Sequence, residues 1–240
     1  SSLLYQSLLN SKTKSSFQFG HLNNKRLDVN KPDNANPTSI HSEYTGDLLS
    51  SEWSVRHKAS KSFSLNPGIQ LKTERAKFKR KDNGIISSMG NKSLFSQGLF
   101  LQNHCSKNAI GLSFGARYDH DSVSNNALTY NLKPSWEWAP KSHLSLNLGT
   151  GFKSPSLFQL YDQTYGNEKL NPEKVLSADL GAEIQNKESR YSFHLFQSNY
   201  TDLMGFDKNF RSINVAKAKT RGVELAASRQ LLKKVEVSGN

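Results

Sequence analysis

The sequence predicts an all-β chain folded as an antiparallel transmembrane β-barrel, on three observations. Apolar and polar residues alternate with period two over segment after segment, and the polar partners are Ser, Asn, Gly, Thr, Asp, Glu and Lys. Such a set suits a wet lumen better than the packed interior of a β-sandwich. The alternating segments run ~9–11 residues, the length a tilted strand needs to cross a membrane. Connections are alternately short (near 11, 59, 105, 140, 187 and 232) and long (near 30, 86, 122, 162 and 210), the rhythm of turns on one rim and loops on the other.

The elements follow in order. Ser1 to Leu9 is a weak first strand ended by Asn10-Ser11-Lys12-Thr13, and Ser15 to Leu22 alternates Phe17 and Phe19 with Ser16 and Gln18. Asn23 to Pro37, rich in Asn, Lys, Asp and Pro, reads as a loop. Ile40 to His57 carries Trp53 and Val55 on one face, and Phe63, Leu65, Ile69 and Leu71 continue the pattern with a bulge expected at Asn66-Pro67-Gly68. Arg80 to Lys92, with Asn83-Gly84, reads as a second polar loop. Leu94 to Gln102 leads to a turn over Asn103 to Asn108, which places Cys105 near a turn as a free thiol.

From there the pattern sharpens. Ile110, Leu112, Phe114, Ala116 and Tyr118 share a face, as do Leu128, Tyr130, Leu132, Pro134, Trp136 and Trp138 beyond a loop at Asp119 to Asn126. The two tryptophans flank the turn at Pro140, where an aromatic girdle would lie. Leu144, Leu146, Leu148, Thr150 and Phe152 lead into a long loop that closes at Asn171-Pro172-Glu173. Leu176, Ala178, Leu180, Ala182 and Ile184 form the next stripe, and Tyr191, Phe193 and Leu195 the one after. A loop from Asn199 to Lys219 precedes Val223, Leu225 and Ala227, and Leu231 to Lys234 turns into Val235 and Val237. About twelve strands result, and no helix of note is required.

Composition narrows the function classes. The chain has 240 residues, 35% hydrophobic, and its single cysteine cannot close an intramolecular disulfide. Mean hydropathy is −0.65. No apolar run approaches the ~20 residues of a spanning helix, which excludes a helical membrane protein, whereas a barrel keeps its mean hydropathy low. The formal charge is +12, from 32 Lys and Arg against 20 Asp and Glu. Clusters such as Lys77-Lys79-Arg80-Lys81 and Lys217-Lys219-Arg221 fall in expected loops or strand ends. With no basic helical stripe and no aromatic RNA-binding strand, the charge reads as facing anionic lipid headgroups or lipopolysaccharide, or as one part of a longer chain; nucleic acid is not expected as a partner. The start at Ser1, without Met or leader, reads as a mature or partial chain.

No enzyme chemistry is expected. The seven histidines are scattered, with no HExxH, GxSxG, P-loop or GxGxxG, so neither metal nor cofactor is anticipated. Asp119-His120-Asp121 reads as a solvated polar loop before it reads as a metal site. Arg117, Asp119, Lys133, Glu137, Asp179 and Glu183 fall on the polar faces, where they line a path for substrate or pair with one another.

Two stretches carry a family resemblance. Gly149 to Glu173, GTGFKSPSLFQLYDQTYGNEKLNPE, and Asn214 to Leu225, NVAKAKTRGVEL, resemble signature regions of TonB-dependent outer-membrane receptors, the family of vitamin B12, siderophore and haem receptors. The resemblance implies a barrel of about twenty-two strands with an N-terminal plug, of which residues 1–240 would be one partial barrel domain without plug or energy-coupling box. It implies a Gram-negative outer-membrane importer of cobalamin, ferric siderophore or haem, driven by the TonB energy-coupling complex. It further implies that Lys153, Pro155, Leu160, Tyr161, Asn171, Pro172 and Glu173 form the signature loop, with Phe152 and Phe158 packing it. Tyr161, Tyr165, Arg117 and Asp179 are the candidate substrate contacts; Gly222 and Glu224 mark strand re-entry, a Gly at a close backbone approach and a lumen-facing carboxylate. A structural or adhesive barrel is the second reading, and a basic soluble polyanion-binding β-protein the third.

Overall fold

The computed structural model describes residues 1–240 apart from 35–36, 83–84, 216, 233–234 and 240. The strands are β1 (Ser2–Asn10), β2 (Thr13–Asn30), β3 (Ile40–Lys58), β4 (Phe63–Asp82), β5 (Ile85–Lys107), β6 (Ile110–Asp121), β7 (Asn125–Ala139) and β8 (Ser142–Lys153). A short helix α1 (Leu157–Tyr161) follows, then β9 (Glu173–Gln185), β10 (Ser189–Thr201), β11 (Met204–Phe206), β12 (Ser212–Asn214), β13 (Ala218–Leu232) and β14 (Val235–Gly239). Twelve strands form one antiparallel meander in chain order; β11 and β12 pair as a separate hairpin between β10 and β13. Among the described residues, β1 and β14 are the two open edges.

The register puts the expected stripes into rows that cross the sheet. Trp53 stands opposite Ile69, Ile69 opposite Leu99, Leu99 opposite Tyr118, and Tyr118 opposite Leu128. Further along, Leu146 pairs with Leu180, Leu180 with Leu195, and Leu195 with Val223. This face is uncovered: Leu128 is 67% exposed, Leu99 58% and Leu225 63%. Apolar surface of that extent, continuous over the whole sheet, has its natural solvent in lipid rather than water. Trp136 and Trp138 sit at its lower margin with ring centroids 6.2 Å apart.

Several elements differ from the sequence reading. The expected loops at 23–37 and 80–92 are mostly strand. β2 to β5 run 18, 19, 20 and 23 residues, against 12 to 15 for β6 to β10. Polar composition misleads here because a hairpin that projects beyond the apolar band satisfies its backbone through its own ladder and needs no apolar side. Pro67 introduces no bulge: Ser54 pairs with Gly68 and His57 with Leu65 in one register, and pairing merely lapses between them, where Pro lacks a donor. Cys105 lies within β5, opposite Phe63 and Leu112 and three residues before the turn, so the free thiol is near a turn as expected while most of the expected turn over Asn103 to Asn108 is strand. The turn after it is Asn108-Ala109, with Asn108 at φ 54°, a conformation Asn tolerates. The loop at 119–126 shrinks to residues 122–124. The Asn83-Gly84 and Lys233-Lys234 turns lie outside the described residues.

Candidate functional site

The signature loop, residues 154–172, is built to fold inward. Where it leaves the wall, Lys153 pairs with Glu173 across the β8–β9 ladder, with Nζ 3.5 Å from the carboxylate. Ser154 donates to the carboxylate of Asp121, which also accepts the backbone N–H groups of Val123 and Ser124 and so fixes the β6–β7 turn against the loop. Pro155 is buried. Ser156 then caps α1: its Oγ accepts from the Gln159 N–H at 3.2 Å, while Gln159 Oε1 accepts from the Ser156 N–H at 2.9 Å. This reciprocal box lets a helix of five residues hold together.

The helix docks on strands far from its own. Leu157 is buried with Phe78 on β4 and with Met89 and Leu94 on β5, and Tyr44, Ala76, Val123, Phe158 and Tyr161 pack around them. Phe78 meets Tyr44 at 4.5 Å and Phe158 edge-on at 5.2 Å. The reason is parity. Gln70, Glu74, Ala76, Phe78 and Arg80 all fall on the polar face of β4, and Phe78 is the large apolar residue in that series. The sequence pattern puts Met89 in the expected loop at 80–92, Phe78 just before it and Tyr44 in the expected strand at 40–57, and singles out none of them; the usable signal is one Phe at an inner-facing position among lysines.

Each sequence-selected loop residue has a place. Tyr161 lies against this cluster with Lys92 Nζ 4.4 Å from its ring centroid. The Tyr165 hydroxyl accepts from Arg80 at 3.2 Å, and its ring stands 6.4 Å from that of Phe158. Leu160 is 2% exposed. Asp162 ends the helix and accepts from the N–H groups of Thr164 and Tyr165 at 2.9 and 2.8 Å. The Gly166 N–H donates to the Asp162 carbonyl at 2.9 Å.

The two signature stretches are bonded together. Asn214 Oδ1 accepts from the Asn171 N–H at 2.8 Å, and Asn214 Nδ2 donates to the carbonyls of Asn171 at 3.0 Å and Asp202 at 2.6 Å. Glu173 accepts from the Met204 N–H at 2.9 Å, and Asn167 and Tyr165 bond both backbone groups of Ser212. The β11–β12 hairpin is thereby latched to the loop at its foot. Replacing Asn214 by Ala removes all three Asn214 bonds and leaves their backbone partners unmatched, at about 1–3 kcal/mol of local stability. The expected result is faster protease cleavage between 154 and 172 with unchanged heat-modifiable gel migration of the barrel; equal cleavage rates would show that the clasp is idle.

The other candidates occupy separate neighbourhoods on the polar face. Arg117 binds Asp119 through Nε at 2.8 Å and Gln70 through Nη2 at 2.9 Å, and Gln70 in turn donates to Glu52 at 2.9 Å. Gly98 leaves the room the guanidinium fills, since a Cβ there would stand 2.2 Å from it. Asp179 faces His194 at 3.3 Å. Gly222 makes space for a ring rather than for a backbone: a Cβ at 222 would stand 2.7 Å from Phe196. Glu224 is exposed and paired in register with His194. No contact joins Arg117 or Asp179 to Tyr161 or Tyr165 among the described residues.

A seam opens beside the loop. The β7–β8 ladder stops at Asn131–Gly149, and above it the Thr150 hydroxyl accepts from the Tyr130 N–H at 3.0 Å in place of a strand partner. A cavity of about 710 Å³ lies there, lined by Leu128, Phe152, Leu170, Pro172, Leu176 and Asn199 among others.

Comparisons with known proteins agree on architecture. Residues 3–240 match the family model described as TonB dependent receptor-like, beta-barrel. The vitamin B12 transporter BtuB of Vibrio cholerae serotype O1 is 27% identical over 121 residues, which cover 48% of this chain and 19% of that protein. Among solved structures, the copper transporter OprC superposes with a TM-score of 0.82 at 15% identity, covering 99% of this chain and 44% of that one. The ferric enterobactin receptor PfeA from Pseudomonas aeruginosa gives 0.78 at 16%, covering 99% and 41%. The chain thus spans less than half the length of these solved structures.

Proposed function

Because the chain belongs to the TonB-dependent receptor β-barrel family, we propose that it forms part of the wall and one inward loop of an outer-membrane receptor that takes up a scarce nutrient with energy delivered through TonB. Members of the family are receptors and transporters rather than enzymes, so affinity and displacement carry the work. Residues 1–240 act as a single partial barrel domain on this reading, and the plug that couples to TonB belongs to the remainder of the receptor.

The observation that carries the proposal is the loop 154–172, docked against the polar face through Leu157 and Phe78 and clasped by Asn214. A fixed shelf in the mouth of a barrel is what a nutrient would meet on entry. Tyr161 and Tyr165, half-buried on that shelf, offer aromatic surface to a corrin, haem or catecholate; Arg117 and Asp179, lower on the wall, line the path taken after release. Cobalamin, ferric siderophore and haem remain the cargo set; the relatives' names support the first two through vitamin B12 and ferric enterobactin, and a copper transporter shares the fold.

The test is uptake of labelled cobalamin, ferric siderophore and haem by a receptor-deficient strain expressing the full-length receptor, with and without TonB. Uptake of one cargo that vanishes without TonB supports the proposal. Surface adhesion with no TonB-dependent uptake of any of them would replace it with a non-transporting barrel.

A further inference from the structure

We infer that the gap between β7 and β8 is a strand-addition site, which binds a short extended peptide against the open edge of β7. The inference uses the barrel wall alone and holds whichever cargo the receptor carries.

The gap is a framed window rather than a frayed end. Above Asn131–Gly149 the next register pairs would be Tyr130–Thr150, Thr129–Gly151, Leu128–Phe152 and Ala127–Lys153, and among the described residues none forms. Four positions span about 13 Å at the ordinary rise per residue. Both strands are held on their far sides: β7 pairs with β6 as far as Asn125–Asp121, and β8 with β9 as far as Lys153–Glu173. Below, the Thr150 hydroxyl closes the frame on Tyr130, accepting from its N–H at 3.0 Å and donating to its carbonyl at 3.5 Å. Above, Ser154 closes it by donating to Asp121.

The backbone that faces the window is unmatched. The Tyr130 N–H points toward β8, and on a strand those of Leu128 and Asn126 point the same way. The Asn126 side chain is turned to His120 on β6, with Oδ1 2.7 Å from Nδ1, and does not cap them. Leu128 stands in the lipid-facing row that runs back through Tyr118 to Leu99. At the edge of hydrocarbon, N–H and C=O groups without partners are strongly unfavourable, and lipid tails offer them nothing.

The lining says what fits. Leu128 and Leu176 belong to the outward face and Thr129 and Val175 to the inward one, yet all four line the same cavity of about 710 Å³, which therefore passes through the wall. An acyl chain would cover the apolar part and leave the backbone groups bare. An open strand edge is matched by another extended backbone, whose alternate side chains meet lipid on one side and the lumen on the other. The occupant that satisfies both is an antiparallel peptide with apolar residues opposite Leu128 and its outward neighbours and polar residues between. Its apolar residues then carry the N–H groups that face β7.

The test uses the full-length receptor in neutral detergent, with a fluorescent hexapeptide of alternating Val and Thr as the probe, followed by anisotropy and by amide hydrogen exchange. In the free receptor the Asn126 and Leu128 amides should exchange rapidly, while those of Ala127 and Thr129, which face β6, stay protected. The peptide should bind and slow the two rapid amides at least tenfold. N-methylation of every Val in the peptide should weaken binding at least tenfold, and so should Thr129→Trp, which fills the window. Should that variant lose heat-modifiable migration, Thr129→Leu carries the same comparison. Slow exchange at Asn126 and Leu128 before peptide is added would mean that the rest of the receptor already fills the window. Absence of binding, or equal binding by the N-methylated peptide or by the Thr129 variant, would mean that β7 offers no edge to a strand. Any of these results overturns the inference.

Discussion

Phe78→Ala is expected to release the 154–172 loop from the wall while leaving the strands in place. The ring is 2% exposed, touches Tyr44 and Phe158, and lies under Leu157. Truncation of a buried Phe costs about 3–5 kcal/mol, and that loss is local to the docking of α1. Its isolated stability is small, because a single helical turn does not persist without tertiary support. Protease cleavage within 154–172 should therefore rise at least tenfold, and cargo affinity should fall with it. Phe78→Leu, which keeps most of the volume, should lie near the wild type. A cleavage rate unchanged by Phe78→Ala would mean that the loop stands on the Asn214 clasp alone.

Gly166→Ala is expected to be as damaging for a different reason. A Cβ at 166 would stand 2.4 Å from the Asp162 carbonyl oxygen, 2.6 Å from the Asp162 nitrogen and 2.8 Å from the Leu160 oxygen. All three are backbone atoms, so no side chain can rotate away, and the turn after α1 has to open. The Gly166 and Asn167 N–H groups would lose the carbonyls of Asp162 and Gln159. Contacts beyond the turn would follow, first those of Asn167 and Tyr165 with Ser212. The expected outcome is loss of most TonB-dependent uptake with normal surface expression and normal heat-modifiable migration. Retained uptake would show that the loop's shape is not needed for transport.

The membrane-crossing part of the fold was legible because lipid imposes period two on one face. Ile110 to Tyr118, Leu128 to Trp138 and Leu144 to Phe152 appear on the apolar face in the order the sequence implies. What lay above the membrane was not legible by that rule. Arg80 to Asp82 carries no apolar residue and Asn23 to Asn30 only Leu27 and Val29, yet both are strand, because their hairpins close their own hydrogen bonds. The site was half legible. The signature loop announced itself through Pro155, Asn171 and Pro172, but its anchors on other strands did not. Phe78 is 79 positions before Leu157, and Asn214 is 43 positions beyond Asn171. Contacts of that separation leave no periodic trace, and a lone Phe or Asn in a polar run looks like any other loop residue.

The loop leaves the sheet between β8 and β9 and fastens to β4 and β5, beyond the intervening β6 and β7 of the meander. Geometrically it is a chord drawn across an arc. Through Leu157 and Phe78 the loop spans that chord without setting the wall, whose radius belongs to strand number and shear, and the free opening beneath it is narrowed by a five-residue helix.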